Sequence, residues 1–221
     1  MTQLGGSLNS SDISEKITKI SDSLNSSLRQ IVSEIRKKFN GKITYSSGAW
    51  ESVEWGLFDV VGVDYYRNGE TAEKYIDGLR KYRIEKPLVV MEVGSCSYAG
   101  AAELGAGGFM ALLVVDSDGT GRFVDDLVPT RSEKVQADYV GEQLELLHGA
   151  GVDGVFIYVF SFPAYPAGEG AKDLDMVSFS LVKTYPGHDP RASQMPPWAH
   201  KESFWRVANF YKTLQCDSSI R

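Results

Sequence analysis

The chain has 221 residues, of which 43% are hydrophobic and 24% are charged, a composition typical of globular proteins. Its formal net charge is −6, which argues against nucleic acid as a partner because phosphate binding requires a basic face. No apolar run approaches the roughly 20 residues that a membrane-spanning helix needs, so we expect no membrane partner.

A long helix is the first predicted element. Residues 1–11 are polar and rich in glycine and serine, and we expect a disordered N-terminal segment there. Over 12–39, apolar side chains recur every three or four positions, the spacing of one helical face. Asp12 is the expected N-cap, and Gly41 supplies the expected stop.

Strands and helices alternate after this first helix. Four strands are predicted, over 42–46, 58–66, 88–93 and 155–160. Three further helices are predicted, over 70–83, 132–149 and 200–214. The strand over 58–66 is a continuous apolar run, as expected of a parallel strand covered on both faces. This alternation predicts an α/β fold of parallel (β/α) units in a single domain over 12–214, followed by a frayed C-terminus over 215–221.

Two stretches lack a clear periodicity and are predicted to be long loops. The first, over 94–132, follows the third strand, and its apolar part over 109–116 fits either a strand or a helix. Within it, residues 116–121 resemble a fragment of a calcium loop. Leu127 stands where such a loop needs its bidentate glutamate, so we expect a turn and no metal site. The second loop, over 161–199, holds six of the eight prolines.

The carboxyl ends of the predicted strands carry the candidate site, because parallel α/β sheets bind their ligands there. Three carboxylates follow these strands: Glu51, Asp64 and Glu92. Four aromatic residues accompany them: Trp50, Tyr65, Tyr66 and Tyr98. Carboxylates can act as acid, base or nucleophile, and aromatic rings can stack on sugar faces. The set therefore indicates a carbohydrate site that needs neither a metal nor another cofactor.

Each carboxylate also has a purely structural interpretation. Glu92 follows an apolar run, and a cation such as Arg67 or Lys86 would pair with it if it were buried. Asp64 would then cap a loop, and Glu51 would belong to a surface turn. These alternatives stay open at the level of the sequence.

The two cysteines, Cys96 and Cys216, are too few for a disulfide framework or a metal site. A reducing compartment is therefore expected. The first residues also lack the basic region and apolar stretch of a signal peptide. Together these features predict a cytoplasmic location.

Several of these segments together resemble one protein family. The motifs are Ile43-Thr44-Tyr45, Trp50-Glu51, the run over 58–67, Lys86-Pro87, the run over 92–101, the run over 173–179, and Pro197-Trp198. They resemble a family of bacterial TIM-barrel proteins that is related to the large retaining clan of glycoside hydrolases and often labelled "abortive infection protein". The resemblance covers roughly residues 28–214.

The resemblance implies that the four strands correspond to strands five to eight of a (β/α)8 barrel. Glu92 then matches the catalytic nucleophile at the end of the seventh strand. The acid/base glutamate of the fourth strand would lie upstream of Asp12, so the retaining reaction is expected to be incomplete here. Only Glu51 or Asp64 remains as a substitute.

Two functions are therefore carried forward. The first is a glycoside-hydrolase-like protein whose parent activity is retaining hydrolysis of a glycosidic bond. The alternative is a non-catalytic carbohydrate-binding or interaction module. Four parallel strands leave two open edges, so a homodimer that closes one barrel is an expected partner, and a fragment of a longer protein explains the pattern equally well.

Overall fold

The structure is a computed structural model that describes residues 10–218, with side chains over 15–214. Its helices are α1 Ser10–Arg36, α2 Ala72–Asp77, α3 Ala101–Leu104, α4 Glu133–Gly149 and α5 Glu202–Ser218. Its strands are β1 Ser46–Ser47, β2 Val61–Asp64, β3 Leu88–Val93, β4 Leu112–Val115, β5 Gly121–Phe123, β6 Gly154–Ile157, β7 Val182–Thr184 and β8 Trp198–His200. None of the helices in the described part is long and apolar enough to cross a membrane.

Four strands form one parallel sheet in the order β1-β2-β3-β6. Helices α2 and α4 supply the crossovers, as the alternation of strand and helix patterns predicts. The register pairs Val61 with Leu88 at one end of β2 and Asp64 with Glu92 at the other. The predicted α/β fold with four parallel strands is therefore confirmed, and the described residues form no closed barrel.

The main core lies between this sheet and the helices on one of its faces. Its buried members are Val61, Val63, Tyr75, Leu79, Tyr82, Leu88, Val90, Val93 and Leu147. They alternate along β2 and the first half of β3, so one side of each strand packs against α2 and α4. Burying these apolar side chains provides the main driving force for docking the helices.

The opposite face of the sheet is open. Val89 and Met91 are only partly buried, and Phe156 of β6 is 59% exposed. The second strand itself is covered on both sides over residues 61–63, as expected, because Gly62 is buried as well as the two valines. The chain approaches Gly62 closely: a Cβ there would lie 2.5 Å from the carbonyl oxygen of Tyr45.

The two predicted long loops contain secondary structure of their own. The stretch over 94–132 holds α3, the 3-10 helix Gly105–Ala111 and the antiparallel hairpin of β4 and β5. Residues 109–116 thus form neither one strand nor one helix, but the end of a 3-10 helix followed by β4. The stretch over 161–199 holds β7 and most of β8, which pair antiparallel.

Helix ends follow local capping chemistry in two cases. The hydroxyls of Thr71 and Ser132 accept hydrogen bonds from backbone N–H groups in the first turns of α2 and α4. The predicted helix over 70–83 is shorter as an α-helix and continues as the 3-10 helix Gly78–Tyr82.

The first and last helices differ from their predicted limits. Helix α1 includes Ser10, so Asp12 lies inside the helix and not at its N-cap. Helix α5 continues past 214 to Ser218. Residues 1–9 of the predicted disordered segment, and 219–221 of the predicted frayed end, lie outside the described residues.

Candidate functional site

A cavity of about 880 Å³ opens at the carboxyl ends of β2, β3 and β6. Its volume lies in the range of about 300–1,000 Å³ that is usual for small-molecule sites. Its lining comes from four regions: Ala49 and Trp50; Asp64, Tyr65, Tyr66, Asn68 and Glu70; Glu92, Ala106, Gly107, Phe109 and Met110; and Tyr158, Val159, Phe162, Tyr165, Val177, Ser178 and Phe179. Most of these side chains are apolar or aromatic.

Glu92 lines this cavity near the end of β3, an interior strand of the sheet. It is partly buried, and the hydroxyl of Tyr66 donates a hydrogen bond to its Oε2 at 2.9 Å. Burial raises the pKa of Glu92 above its ordinary value, and the charge of Asp64 raises that pKa further. The hydrogen bond from Tyr66 acts in the opposite direction.

Asp64 is the second carboxylate at this end of the sheet. The parallel register sets it opposite Glu92 on the neighbouring strand, and both border the cavity. The hydroxyl of Ser46 donates a hydrogen bond to Asp64, so the ends of β1, β2 and β3 meet here. The structure thus brings two of the three predicted carboxylates together.

Tyr66 connects Glu92 to the aromatic wall of the cavity, which consists of Tyr158, Phe162, Tyr165 and Phe179. Its ring lies 5.6 Å from that of Phe179, centroid to centroid. Burial raises the pKa of Tyr66 well above its usual range, and the neighbouring Glu92 charge adds to this. The phenol therefore stays protonated and acts as a donor to Glu92 at any physiological pH.

The hydroxyls of Tyr65 and Tyr98 are hydrogen-bonded to backbone carbonyls within the fold. The Tyr65 ring stacks on Tyr75 with centroids 4.9 Å apart, and its hydroxyl donates to the Tyr75 carbonyl at 2.6 Å. Burial raises the pKa of Tyr65 to about 12. Tyr98 is buried away from the cavity lining, and its hydroxyl donates to the Gly108 carbonyl at 2.7 Å. Tyr65 borders the cavity, but both hydroxyls are used within the fold.

Trp50 and Glu51 separate although they are adjacent in sequence. Trp50 stands at the cavity rim with 87% of its surface exposed. Glu51 lies outside the lining, where its carboxylate accepts from the Gly48 N–H at 2.8 Å and from the Tyr45 hydroxyl at 3.0 Å. Glu51 therefore holds the turn after β1.

The cations considered as structural partners of Glu92 are engaged elsewhere. Arg67 pairs with Glu142 at 2.7 Å. The Lys86 ammonium donates to the carbonyls of Trp55 at 2.7 Å and Phe58 at 2.5 Å. Among the described side chains, the hydrogen-bond partner of the Glu92 carboxylate is the neutral Tyr66, and none of the described cations pairs with it.

A buried ion cluster supports the cavity wall and was not found from the sequence. Arg131 pairs with Asp173 at 2.9 Å and with Asp175 at 2.8 Å, and the fully buried Lys201 pairs with Asp175 at 2.9 Å. Burial lowers the pKa of Lys201, and the Asp175 charge opposes that effect. The cluster fixes the segment Leu174–Val177, which leads directly into the wall residue Phe179.

The aromatic wall itself was only partly visible in the sequence. Tyr158, Phe162, Tyr165 and Phe179 belong to the last predicted strand and the proline-rich stretch, where no periodic pattern marks one face. Among the residues with described side chains, no group of three or more His, Cys, Asp or Glu is arranged to hold a metal ion.

No protein-family model matches the chain, and no curated protein sequence matches it. Among solved structures, a complex of a GH113 beta-1,4-mannanase is similar with a TM-score of 0.47 and 18% identity, over 69% of this chain and 45% of that one. A second structure of a GH113 beta-1,4-mannanase has a TM-score of 0.47 and 19% identity, over 62% of this chain and 41% of that one.

A third similar structure is an active-site mutant of Rhizomucor miehei beta-1,3-glucanosyltransferase in complex with laminaritriose. Its TM-score is 0.45 and its identity 14%, over 73% of this chain and 53% of that one. The chain thus spans about half the length of these proteins, or less. Similarity at this level carries no conclusion about activity, and none of the comparisons supports the abortive-infection label.

Proposed function

We propose that the chain binds a carbohydrate in the cavity and that Glu92 is the carboxylate that reacts at the glycosidic bond. The position of Glu92 supports this proposal. It lies at the carboxyl end of an interior strand, partly buried, with aromatic rings around it and a neutral phenol as its hydrogen-bond partner. A carboxylate in such surroundings is a typical catalytic or ligand-binding group.

In the proposed reaction, Glu92 attacks the anomeric carbon and forms a covalent glycosyl ester while the glycosidic carbon–oxygen bond breaks. A second carboxyl group gives its proton to the leaving oxygen. It then takes a proton from the water that hydrolyses the ester. Asp64 is the proposed second group because it borders the same cavity opposite Glu92, whereas the oxygens of Glu51 are used in the turn. The two carboxyl groups would share one proton, and the reaction uses the state in which Asp64 holds that proton and Glu92 is ionised.

Non-catalytic carbohydrate binding is the second candidate. The cavity offers several aromatic rings for stacking on a sugar, among them Trp50, Tyr158 and Tyr165, and this stacking does not require Glu92 to ionise. Replacing Glu92 would then leave the affinity nearly unchanged, whereas Trp50→Ala would abolish binding.

Hydrolysis of a panel of 4-nitrophenyl glycosides tests the proposal. We expect Glu92→Gln to lower kcat/KM by about a thousandfold or more, because the nucleophile is lost. Glu85→Gln is the matched control: this exposed glutamate lies at the amino end of the same strand, away from the cavity. We expect it to retain activity within about twofold, as surface substitutions usually do.

Two outcomes decide between the candidates. If Glu92→Gln still hydrolyses the best substrate within a few-fold of the wild type, Glu92 is not the nucleophile. If the wild type hydrolyses no glycoside, but calorimetry detects oligosaccharide binding that Glu92→Gln keeps and Trp50→Ala loses, the binding function is correct.

A further inference from the structure

The cavity rim is made of large apolar side chains that remain exposed. Besides Trp50, two consecutive residues of the 3-10 helix Gly105–Ala111 border the cavity, Phe109 with 53% and Met110 with 63% of its surface exposed. Large apolar side chains that stay in water beside a cavity mark a surface that binds something apolar.

The 3-10 helix Gly105–Ala111, which forms the cavity wall next to the rim, has no polar side chain. Its sequence is Gly-Ala-Gly-Gly-Phe-Met-Ala, so only apolar groups and backbone face a ligand there. The chain leads directly from this wall into β4, where Leu113 is 65% exposed and Val114 and Val115 are also exposed. The apolar surface thus continues along the chain from the cavity to the hairpin.

Most polar groups near this wall are already bonded within the protein. The Asn68 Oδ1 accepts from the Ala106 N–H at 3.0 Å, and a Glu70 oxygen accepts from the Asn68 N–H at 2.7 Å. The Ser178 hydroxyl donates to the Asp175 carbonyl at 2.8 Å. The charged groups left for a polar ligand include Glu92 and Asp64, which come from the sheet and not from the 3-10 helix Gly105–Ala111.

We infer, on the basis of the proposed function, that the ligand is a glycoside with an apolar aglycone, alkyl or aryl, and not a polysaccharide. A polysaccharide has sugar hydroxyls on both sides of each glycosidic bond, and hydroxyls set against Gly105–Ala111 would lose water without gaining a side-chain hydrogen-bond partner. An apolar aglycone gains free energy by covering Phe109, and the flexible Met110 side chain adapts to its shape.

Calorimetric titration of the full chain with glycosides of increasing aglycone size tests the inference. The probes are the methyl, hexyl, octyl and phenyl β-D-glucopyranosides and the corresponding mannopyranosides, all below their micellar concentrations. We expect the affinity to rise by about threefold for each methylene that the rim covers. The phenyl glycosides separate aryl from alkyl preference.

Met110→Ser tests whether the rim causes the rise in affinity with aglycone size. It should weaken binding of the octyl glycoside severalfold and leave the methyl glycoside unchanged. Ile84→Ser is the control, because Ile84 is a similarly exposed apolar residue at the amino end of β3, outside the cavity lining. We expect Ile84→Ser to leave both affinities unchanged.

The inference and the proposed function fail in different ways. Equal affinities for methyl and octyl glycosides, together with tighter binding of a trisaccharide, would overturn the apolar aglycone and leave the carbohydrate function standing. An octyl preference that Met110→Ser leaves intact would overturn the assignment of the rim. If 1-octanol binds as tightly as the octyl glycosides, or nothing binds, the proposed function fails and the inference fails with it.

Discussion

At the scale of single residues, Glu92 shows how a partly buried carboxylate lowers the stability of the folded state when it is ionised. It sits in a largely apolar cavity, beside the negative Asp64, and burial raises its pKa above the ordinary value. The folded state therefore holds the proton of Glu92 more tightly than the unfolded chain does. It follows that this group favours folding below its unfolded pKa, and that the benefit is lost as the pH rises through the higher folded pKa.

Glu92→Gln should therefore stabilise the protein at neutral pH, because glutamine cannot ionise and can still accept the Tyr66 hydrogen bond. We expect a gain in the free energy of unfolding of about 0.5–1 kcal/mol at pH 7. The gain should disappear in acid, where Glu92 is protonated in both states. Thermal unfolding of both proteins across pH 3 to pH 8 measures this. A loss of stability at pH 7, with Glu85→Gln neutral, would contradict the argument.

Tyr66→Phe should shift the titration of Glu92. The Tyr66 hydroxyl holds the pKa of Glu92 down by donating to the ionised carboxylate, so its removal should move that pKa further up. Losing a hydrogen bond to a charged group should also lower any kcat/KM by roughly tenfold. NMR titration of the Glu92 carboxyl carbon measures the shift without requiring activity. Tyr165→Phe removes a cavity hydroxyl that is not bonded to Glu92, and an equal shift there would contradict this role.

At the scale of elements, the buried ion cluster joins parts of the chain that are far apart in sequence. Arg131 precedes α4, Asp175 lies in the 3-10 helix Leu174–Val177, and Lys201 precedes α5. The ammonium of Lys201 and one carboxylate oxygen of Asp175 are 2.9 Å apart, and both side chains are almost completely buried. Because a buried charge without a partner is costly, these elements must dock together or not at all.

Asp175→Asn should expose that cost. It leaves the buried Lys201 beside a neutral amide, whereas Arg131 keeps its ion pairs with Asp173 and Glu133. Because Lys201 is then a buried charge without a carboxylate partner, we expect the free energy of unfolding to fall by about 3 kcal/mol. Asp138→Asn breaks the exposed pair with Lys134, whose side chains are both largely in water, and should cost less than about 0.5 kcal/mol. Urea unfolding of both variants tests the difference. If Asp175→Asn and Asp138→Asn lost similar amounts of free energy of unfolding, the buried ion cluster would not be a main source of stability.

At the scale of the whole molecule, the sheet has two free edges and exposes Phe156 on one face. Within residues 10–218, strands β1 and β6 each have a sheet partner on one side only, and the sheet is parallel throughout. A second copy related by a twofold axis would therefore place β6 of each copy beside β1 of the other, all parallel, and would cover Phe156. At the β6 edge the Tyr211 hydroxyl donates to the Val155 carbonyl at 3.2 Å, and closure would require this bond to yield.

The homodimer thus stays a prediction, and size exclusion with light scattering tests it. We expect a mass of about twice the chain mass of 24.4 kDa. Phe156→Asp places a charge on the face that the partner would cover and should give a monomer. Ile84→Asp, at the amino end of β3, should leave the mass unchanged. A monomeric wild type would contradict closure by a second copy.

The sequence alone determined the kinds of elements and most of their order. Apolar periodicity and the caps at Thr71 and Ser132 are local signals, because a helix end or a strand face is specified by residues within a few positions of each other. The same signals placed Asp64 and Glu92 at strand ends. For this reason local patterns were enough to predict the parallel sheet and to place Asp64 and Glu92 at one end of it. They also included Glu51, which the structure uses in the turn after β1.

Only the tertiary structure decided which side chains work together. Tyr65 and Tyr66 are neighbours in the chain, yet one faces the core and the other faces Glu92, since successive side chains leave an extended chain on opposite sides. Arg131 and Asp175 are 44 positions apart, so no local pattern marks their pairing. Packing against distant segments chose these partners, and packing energies depend on contacts that a linear sequence does not display.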